Sequence, residues 1–332
     1  MAYRVLIIGC GAIAGGYDSD RHGGLWPLSH AGTITASEHF ELVACVDPDD
    51  SALLTFAKEW EVTKAAPNTA SLQASAGDFD LIVIASPTQF HAVQLEWALS
   101  MKPCAVFCEK PVTDDFSKVL PIVRAFETAK IPLAVNYTRR WAPDLAQLLS
   151  DIQNDKWGFL LSAVGTYSKG VVHNGSHMMD LLHMFVGSME LHSIGPGKCD
   201  YWDHDPTVSA MLTAGDLGQP IHLVASDSRS LTQFELVLNY DFGEIALRDG
   251  GTRIETRRVQ ESAIFPGHKQ LGLPETVEGR YAEAMTLAYE NMAQVIAGKA
   301  DPNCSAGQAY SAHAICEEMR QRALENLKKA PE

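Results

Sequence analysis

Tyr3-Arg4-Val5-Leu6-Ile7-Ile8-Gly9-Cys10-Gly11-Ala12-Ile13-Ala14-Gly15-Gly16 runs from an apolar, β-prone stretch straight into a glycine-rich turn. The turn reads G-x-G-x-x-A, with Ala14 in the third small position. In such a turn Gly9 permits the sharp bend after the strand. Gly11 lets the backbone approach a pyrophosphate, and Ala14 lets helix and strand pack closely. The helix expected to open here would point free N–H groups at phosphates, with Ala12 and Ile13 beside them. A glycine-rich turn alone is common, so its surroundings carry the argument.

Leu42–Asp47 (LVACVD) is a second buried strand ending in an acid. Asp47 stands where a carboxylate would grip the adenosine ribose hydroxyls, and an acid there favours NAD over NADP by repelling a 2′-phosphate. The rival reading makes Asp47 a cap or turn residue in DPDDS. Its spacing departs from the usual pattern. Asp47 lies 33 residues after Ala14, against a usual ~20 between the last small position and the acid. Residues 17–29, YDSDRHGGLWPLS, therefore read as an insertion, either a lid or substrate loop or a surface insert. Ser51–Trp60 reads as an amphipathic helix with Leu53, Leu54, Ala57 and Trp60 inward. Asp80–Ala85 (DLIVIA) is a buried strand followed by Ser86-Pro87, expected along the nicotinamide half of a cleft. The next helix carries His91, read as a structural or cofactor-shell residue.

Val106-Phe107-Cys108-Glu109-Lys110-Pro111 repeats the pattern of a strand ending in polar groups. Proline restrains Lys110 from helical geometry, so a strand delivers an ammonium to the carboxyl edge of a parallel sheet. A helix over 114–130 must accommodate Pro121. Leu133–Tyr137 (LAVNY) is another strand, leading into Thr138-Arg139-Arg140-Trp141. Alternating strands and helices imply a doubly wound parallel sheet with right-handed crossovers.

The second half reads differently. A helix over 143–154 and an alternating strand over 159–168 precede KGVVHNGSHMMDLLH, residues 169–183. Gly175 or Ser176 can open a helix on which His177 and Asp180 share a face. His177 has three readings: a core residue, a metal ligand with His173 and Asp180, or a general base near pH 7. No HExxH-like pattern supports metal. After Glu190, TVSAMLTA, IHLVASDS, FELVLNYD, GEIALRDG and TRIETRRV read as strands of a mostly antiparallel sheet. Helices over 279–298 and 306–328 end the chain. The reading is an α/β protein with domains at 1–137, 138–305 and a terminal helix, 306–332, packed back on the first.

The bulk numbers agree. The 332 residues suit two domains, and 46% hydrophobic with 20% charged residues is ordinary for a soluble protein. A net charge of −15 argues against nucleic acid or an anionic membrane as partner. The opening apolar run is too short for a signal peptide, and no stretch approaches the ~18 apolar residues of a membrane span. Seven scattered cysteines, with Cys104 and Cys108 the only close pair, suit a reducing cytoplasm.

GCGAIAG, VDPD, IASPTQFH, CEKP, NYTRRW and GSHMMDLL together resemble the Gfo/Idh/MocA oxidoreductases, named for glucose–fructose oxidoreductase and inositol dehydrogenase. The resemblance implies a Rossmann domain followed by an α/β domain with a large open sheet. It also implies NAD(P), sugar or cyclitol substrates, and a homodimer or homotetramer. Lys110 matches the lysine of the EKP motif, flanked by Glu109. His177 matches the family histidine, and Asp180 the aspartate of HxxD. Many members carry an aspartate four residues before that histidine; here His173 stands there. Asn136 and Arg139 resemble a polar cluster near the cleft. The expected mechanism has His177 as acid/base and Lys110 stabilising charge on the reacting oxygen. Arg139, Tyr167, Lys169, His173 and Asn174 would orient the rest of the substrate. Two alternatives keep the fold: internally recycled NAD in a reaction without net redox, and a ligand-sensing regulator.

Overall fold

The computed structural model describes residues 2–19, 27–215 and 217–329. Two compact units divide the chain: Met1–Ala142 with Ala282–Tyr310, and Pro143–Tyr281 with Ser311–Glu332.

In the first unit six strands form one parallel sheet: β1 (Tyr3–Ile8), β2 (Phe40–Val46), β3 (Lys64–Ala66), β4 (Leu81–Ile84), β5 (Ala105–Cys108) and β6 (Leu133–Val135). Their order is β3-β2-β1-β4-β5-β6, so the winding reverses between β1 and β4. Ligands of open α/β sheets bind at that reversal, outside the carboxyl ends of the strands. LIVI and AVFC are buried at every position, as strands covered on both faces must be.

The helices are α1 (His30–Ala36), α2 (Asp50–Glu59), α3 (His91–Ser100) and α4 (Phe116–Ala129). Asp49 caps α2, accepting from the Ala52 amide. Such a cap is worth about 1 kcal/mol. Leu53 and Phe56 face inward on α2, while Leu54, expected inward, is 69% exposed. The helix is turned by one position from the apolar phase expected. Pro121 lies inside α4 without ending it; its ring costs one amide bond near the helix start.

The helix expected at the glycine motif does not form there. Gly15 and Gly16 both donate to Gly11 O and Tyr17 donates to Ala12 O, which closes an irregular turn. The helix proper starts only at His30, where the Ser29 side chain accepts from the Gly32 amide. His30 N donates to Ile13 O at 3.0 Å and Ala31 N to Ala14 O at 2.7 Å. Those are the acceptors that residues 17 and 18 would use in an unbroken helix. Residues 17–29 are thus an excursion from a helix that later resumes in place. Without those thirteen residues, Ala14 and Asp47 stand at the usual ~20-residue spacing. Asp18 closes the excursion, its carboxylate accepting from the amides of Leu28 and Ser29 and from the Ser29 hydroxyl. Residues 20–26, most of the suggested lid, lie outside the described residues.

The second unit starts with α5 (Pro143–Gln153), β7 (Leu160–Tyr167) and α6 (Gly175–Val186). It continues with β8 (Met189–Trp202), β9 (Asp205–Ala214), β10 (Gln219–Ala225), β11 (Phe234–Tyr240), β12 (Gly243–Arg248), β13 (Arg253–Glu261), β14 (Lys269–Leu271) and β15 (Glu275–Glu278). The sheet order is β14-β13-β12-β11-β7-β10-β9-β8, with β15 also on β13. Only β7 and β10 run parallel. Strand β8 was not read from the sequence, because Gly195-Pro196-Gly197 looks like a loop. It is tolerated because β8 is an edge strand, and the register shifts at three places along it. After α7 (Ala284–Ile296) in the first unit comes α8 (Ala306–Lys329), which passes from the first unit into the second at Ser311. The terminal helix therefore groups mainly with the second unit, and 282–310 with the first.

A variant lacking residues 17–29 should fold, because His30 would then follow Gly16 in the helical register it already occupies. Two glycines would enter the helix, at about 1 kcal/mol each. Far-ultraviolet circular dichroism should keep its shape while the urea midpoint falls. Loss of the cooperative transition would show that the excursion is structural.

Candidate active site

At the carboxyl edge of the first sheet, Gly9 has φ +98°, and a Cβ on it would lie 2.6 Å from Ser86 N. No other residue fits between β1 and the turn after β4. A Cβ on Gly11 would meet nothing within 4 Å, so that glycine keeps the backbone open. Among the described residues, the amides of Gly11, Ala12, Ile13 and Ala14 donate to no backbone carbonyl. Gly11 and Ala12 are exposed. With Ile13 half-buried and Ala14 buried, it is the exposed start of this turn that can cradle an anion. The helix terminus itself does not contribute as expected, since Asp18 and Ser29 already occupy the start of α1. Asp47 braces the cradle: one oxygen accepts from Cys10 N at 2.7 Å and the other from Asp49 N at 2.8 Å. It is half-buried, with acceptor capacity left. A hollow of about 370 Å³ adjoins the turn, lined by Cys10, Gly16, Ser19, Asp49, Glu59 and Trp60 among others. Its acids give a 2′-phosphate no counter-charge. These residues fit a pyrophosphate and a ribose diol.

Several expected cofactor contacts are instead internal braces. Buried His91 spends both ring nitrogens inside the protein, Nε2 on Ser86 O at 2.8 Å and Nδ1 on Pro111 O at 2.9 Å. It ties the turn after β4 to the turn after β5. Ser86 donates its hydroxyl to Gln94, and Pro87 is exposed beside it. Asn136 is buried and donates to Glu109 Oε1 at 2.6 Å while Thr138 donates to its oxygen. Glu109 faces inward, next to Lys110, which is half-buried. Burial pulls the Glu109 carboxyl upward, but bonds from His30 and Asn136 and the charge of Lys110 hold it below the usual carboxylate range.

His30 was missed by the sequence reading. Fully buried, it places Nε2 3.0 Å from Glu109 Oε1 and Nδ1 2.8 Å from the Tyr289 hydroxyl. Ionised Glu109 can only accept, so Nε2 presents an N–H to it, and Nδ1 pairs with the Tyr289 hydroxyl. Phe107 packs edge-on to His30, Trp141 and Tyr289, closing an aromatic wall around the bond. The one available signal was that His30 resumes the interrupted helix.

In the second unit, the turn Gly170–Asn174 leads into α6. Gly170 has φ +80°, and a Cβ there would strike the Asp205 carboxylate. Asp205 accepts from the Val172 and His173 amides, both at 2.9 Å. Asp200 accepts from the Lys169 amide, the Thr207 hydroxyl and the Ser228 amide. Burial raises Asp205 and outweighs its bonds, whereas the bonds to Asp200 overcome burial and lower it. Lys169, His173, Asn174 and His177 are half-buried, with His177 at the third residue of α6. Asp180 is buried one turn on. Tyr167 is a correction. It is fully buried, and its hydroxyl donates to Val208 O at 2.7 Å, so it is a core tyrosine with nothing left for a substrate. Arg139 is half-buried in the first unit. Among the described residues no three His, Cys, Asp or Glu side chains gather to hold a metal ion, and no helix is long and apolar enough to cross a membrane.

Strand order, glycine cradle and acid at the end of β2 define a dinucleotide-binding Rossmann domain. Residues 3–137 match the family described as "Oxidoreductase family, NAD-binding Rossmann fold". The match covers the dinucleotide-binding domain, and there the chain is similar to the Gfo/Idh/MocA oxidoreductases. Inositol 2-dehydrogenase of Rhizobium meliloti (strain 1021) is 28% identical over 130 residues, 39% of this chain and 38% of that protein. Across the curated relatives the matched stretch covers between 28% and 50% of their own length. An oxidoreductase from Agrobacterium radiobacter, solved with NAD+, L-tartaric acid and magnesium, superposes with a TM-score of 0.74 at 16% identity, over 98% of this chain and 97% of that one. UDP-N-acetylglucosamine 3-dehydrogenase from Acidithiobacillus ferrooxidans does so at 0.76 and 16%, over 98% and 99%. At such identities the likeness is one of fold, and it extends over both units.

Replacing His30 by alanine should lower the unfolding free energy by about 2–3 kcal/mol at pH 7, because it leaves a buried carboxylate short of a partner. Glu109 is depressed in the folded protein, so its contribution is present above the ordinary value of 4.5 and fades as pH falls through the lowered one. The difference between wild type and H30A should therefore shrink between pH 7 and pH 3.5. Urea titrations at the two values check this, and a gap independent of pH would assign the loss to packing alone.

Proposed function

We propose that the protein is an NAD-dependent dehydrogenase that interconverts a secondary alcohol and a ketone on a sugar, cyclitol or related ring. The observation that carries this reading is the glycine turn opening at Gly11 and Ala12 beside Asp47, on a sheet whose strand β5 leads into Glu109-Lys110. NAD, when bound, supplies the hydride acceptor. The amides of the cradle bind its pyrophosphate, and Asp47 accepts from ribose hydroxyls. The acids Asp47, Asp49 and Glu59 favour NAD over NADP.

Oxidising an alcohol removes a proton from oxygen as hydride leaves carbon. His177 takes the proton in this reading, since a histidine works as a base near neutral pH. Lys110 donates a hydrogen bond to the same oxygen and stabilises the negative charge that develops there. Bracing of Glu109 by His30 and Asn136, and of Pro111 by His91, holds the lysine's turn still. Arg139, Lys169, His173 and Asn174 orient the remaining substrate groups, and Asp180 steadies α6 from within. Exposed Leu161, Met211 and Val224 on the open sheet support a homodimer or homotetramer built on that face.

The first test is NADH absorbance at 340 nm with NAD and NADP against sugars, cyclitols and sugar acids. Turnover with NAD at least tenfold above NADP is expected. Silence with no NAD binding would remove the reading of Gly9, Gly11 and Asp47. In the active assay, Lys110→Ala should lower kcat by about 100-fold or more while the Kd for NAD stays within about threefold. An unchanged kcat would remove Lys110 from the mechanism.

A further inference from the structure

The end of β8 and the turn into β9 carry Tyr201-Trp202-Asp203-His204, and none of these residues has been given a role so far. The Trp202 ring stands 4.4 Å from that of His173, tilted by 61°. The Lys169 ammonium lies 4.6 Å from the centre of the Tyr201 ring and 5.9 Å from that of Trp202. Tyr201 is exposed and Trp202 half-buried, so the faces are not all consumed by packing. These four side chains come together only because the loop before α6 is pinned from below. Asp200 holds the Lys169 amide, Thr207 the Gly170 amide, and Asp205 the amides of Val172 and His173.

That pinning sorts the charges. Asp200 and Asp205 point inward and are spent as acceptors for backbone N–H groups. Asp227 is engaged by Arg229 and Lys198, and Asp203 stays at the exposed tip. Asn174 gives its amide hydrogen to Ser168 O. What accompanies the aromatic rings is a lysine and a histidine, in a protein whose net charge is −15. A neutral sugar offers hydroxyls that donate as well as accept, and it is best met by a mixture of acceptors and donors. A lysine can only donate. Held over aromatic faces, it loses rotamer freedom before any ligand arrives.

We infer that Lys169, His173, Tyr201 and Trp202 form a subsite for the carboxylate end of a sugar acid, with Trp202 offering a ring face to the sugar and Lys169 fixing the carboxylate. The inference rests on the dehydrogenase reading above and narrows its substrate class to uronates or similar hydroxy acids. Trp202 and Tyr201 are substrate-binding residues in this scheme, and Lys169 sets the preference for acid over neutral ligand.

The test is calorimetric titration of the full chain, with NAD present, using D-glucuronate against D-glucose and D-galacturonate against D-galactose. At least one acid should bind tenfold or more tightly than its neutral partner. Lys169→Gln should reduce that ratio below threefold. Trp202→Ala should weaken binding of the acid by about tenfold, and Trp202→Phe should restore most of it, which a merely structural role for the indole would not predict. Equal affinities for acid and neutral sugar, no binding of either, or a ratio unmoved by Lys169→Gln would each overturn the subsite. Absorbance at 340 nm in the same samples separates the two readings. Preferential acid binding without NADH keeps the subsite and removes the dehydrogenase. NADH formed as efficiently from the neutral sugars keeps the dehydrogenase and removes the subsite.

Discussion

The first unit depends on a contact between two stretches of backbone. Gly9 comes so close to Ala85 and Ser86 that a single added carbon would overlap them. That approach fixes where β1 ends relative to β4, and hence where the sheet's winding reverses. Gly11 and Ala12 are exposed where the chain has turned so tightly at Gly9. Asp47 then locks the turn through Cys10. A cofactor site of this kind is a by-product of backbone geometry, and only a few side chains need to be specified to obtain it.

Those few were the legible part. Gly9, Gly11 and Asp47 announced themselves by type and spacing, and the parallel sheet followed from alternating apolar runs. Even the anomalous distance from Ala14 to Asp47 was visible, and the structure accounts for it through residues 17–29. The misread features share a physical cause. Each depended on what lies across from the residue in space. Tyr167 looked available because it ends an alternating strand, yet Val208, two strands away in the same sheet, meets its hydroxyl. Strand β8 looked like a loop because proline and glycines are poor strand formers, and only its edge position makes them tolerable. Missing β8 meant missing Trp202.

Histidines illustrate the same point. His91 and His30 are buried braces with both ring nitrogens occupied, while His173 and His177 are half-buried beside the turn that opens α6. Nothing in their immediate sequence separates the two pairs. Burial does: His91 and His30 are enclosed among backbone carbonyls, a carboxylate and a phenol.

The bond between His30 and Tyr289 joins residues 259 positions apart. The dinucleotide-binding unit is therefore not finished when its sixth strand has been made. During synthesis a nearly complete sheet must wait for almost the whole of the second unit to emerge before Tyr289 can close the aromatic wall behind Glu109. Contacts of such long sequence separation slow folding, so the order in which the chain appears imposes an order on its assembly. Most of the second unit, Pro143–Tyr281, is inserted in the first, so the brace behind Glu109 closes only after that insert has been made.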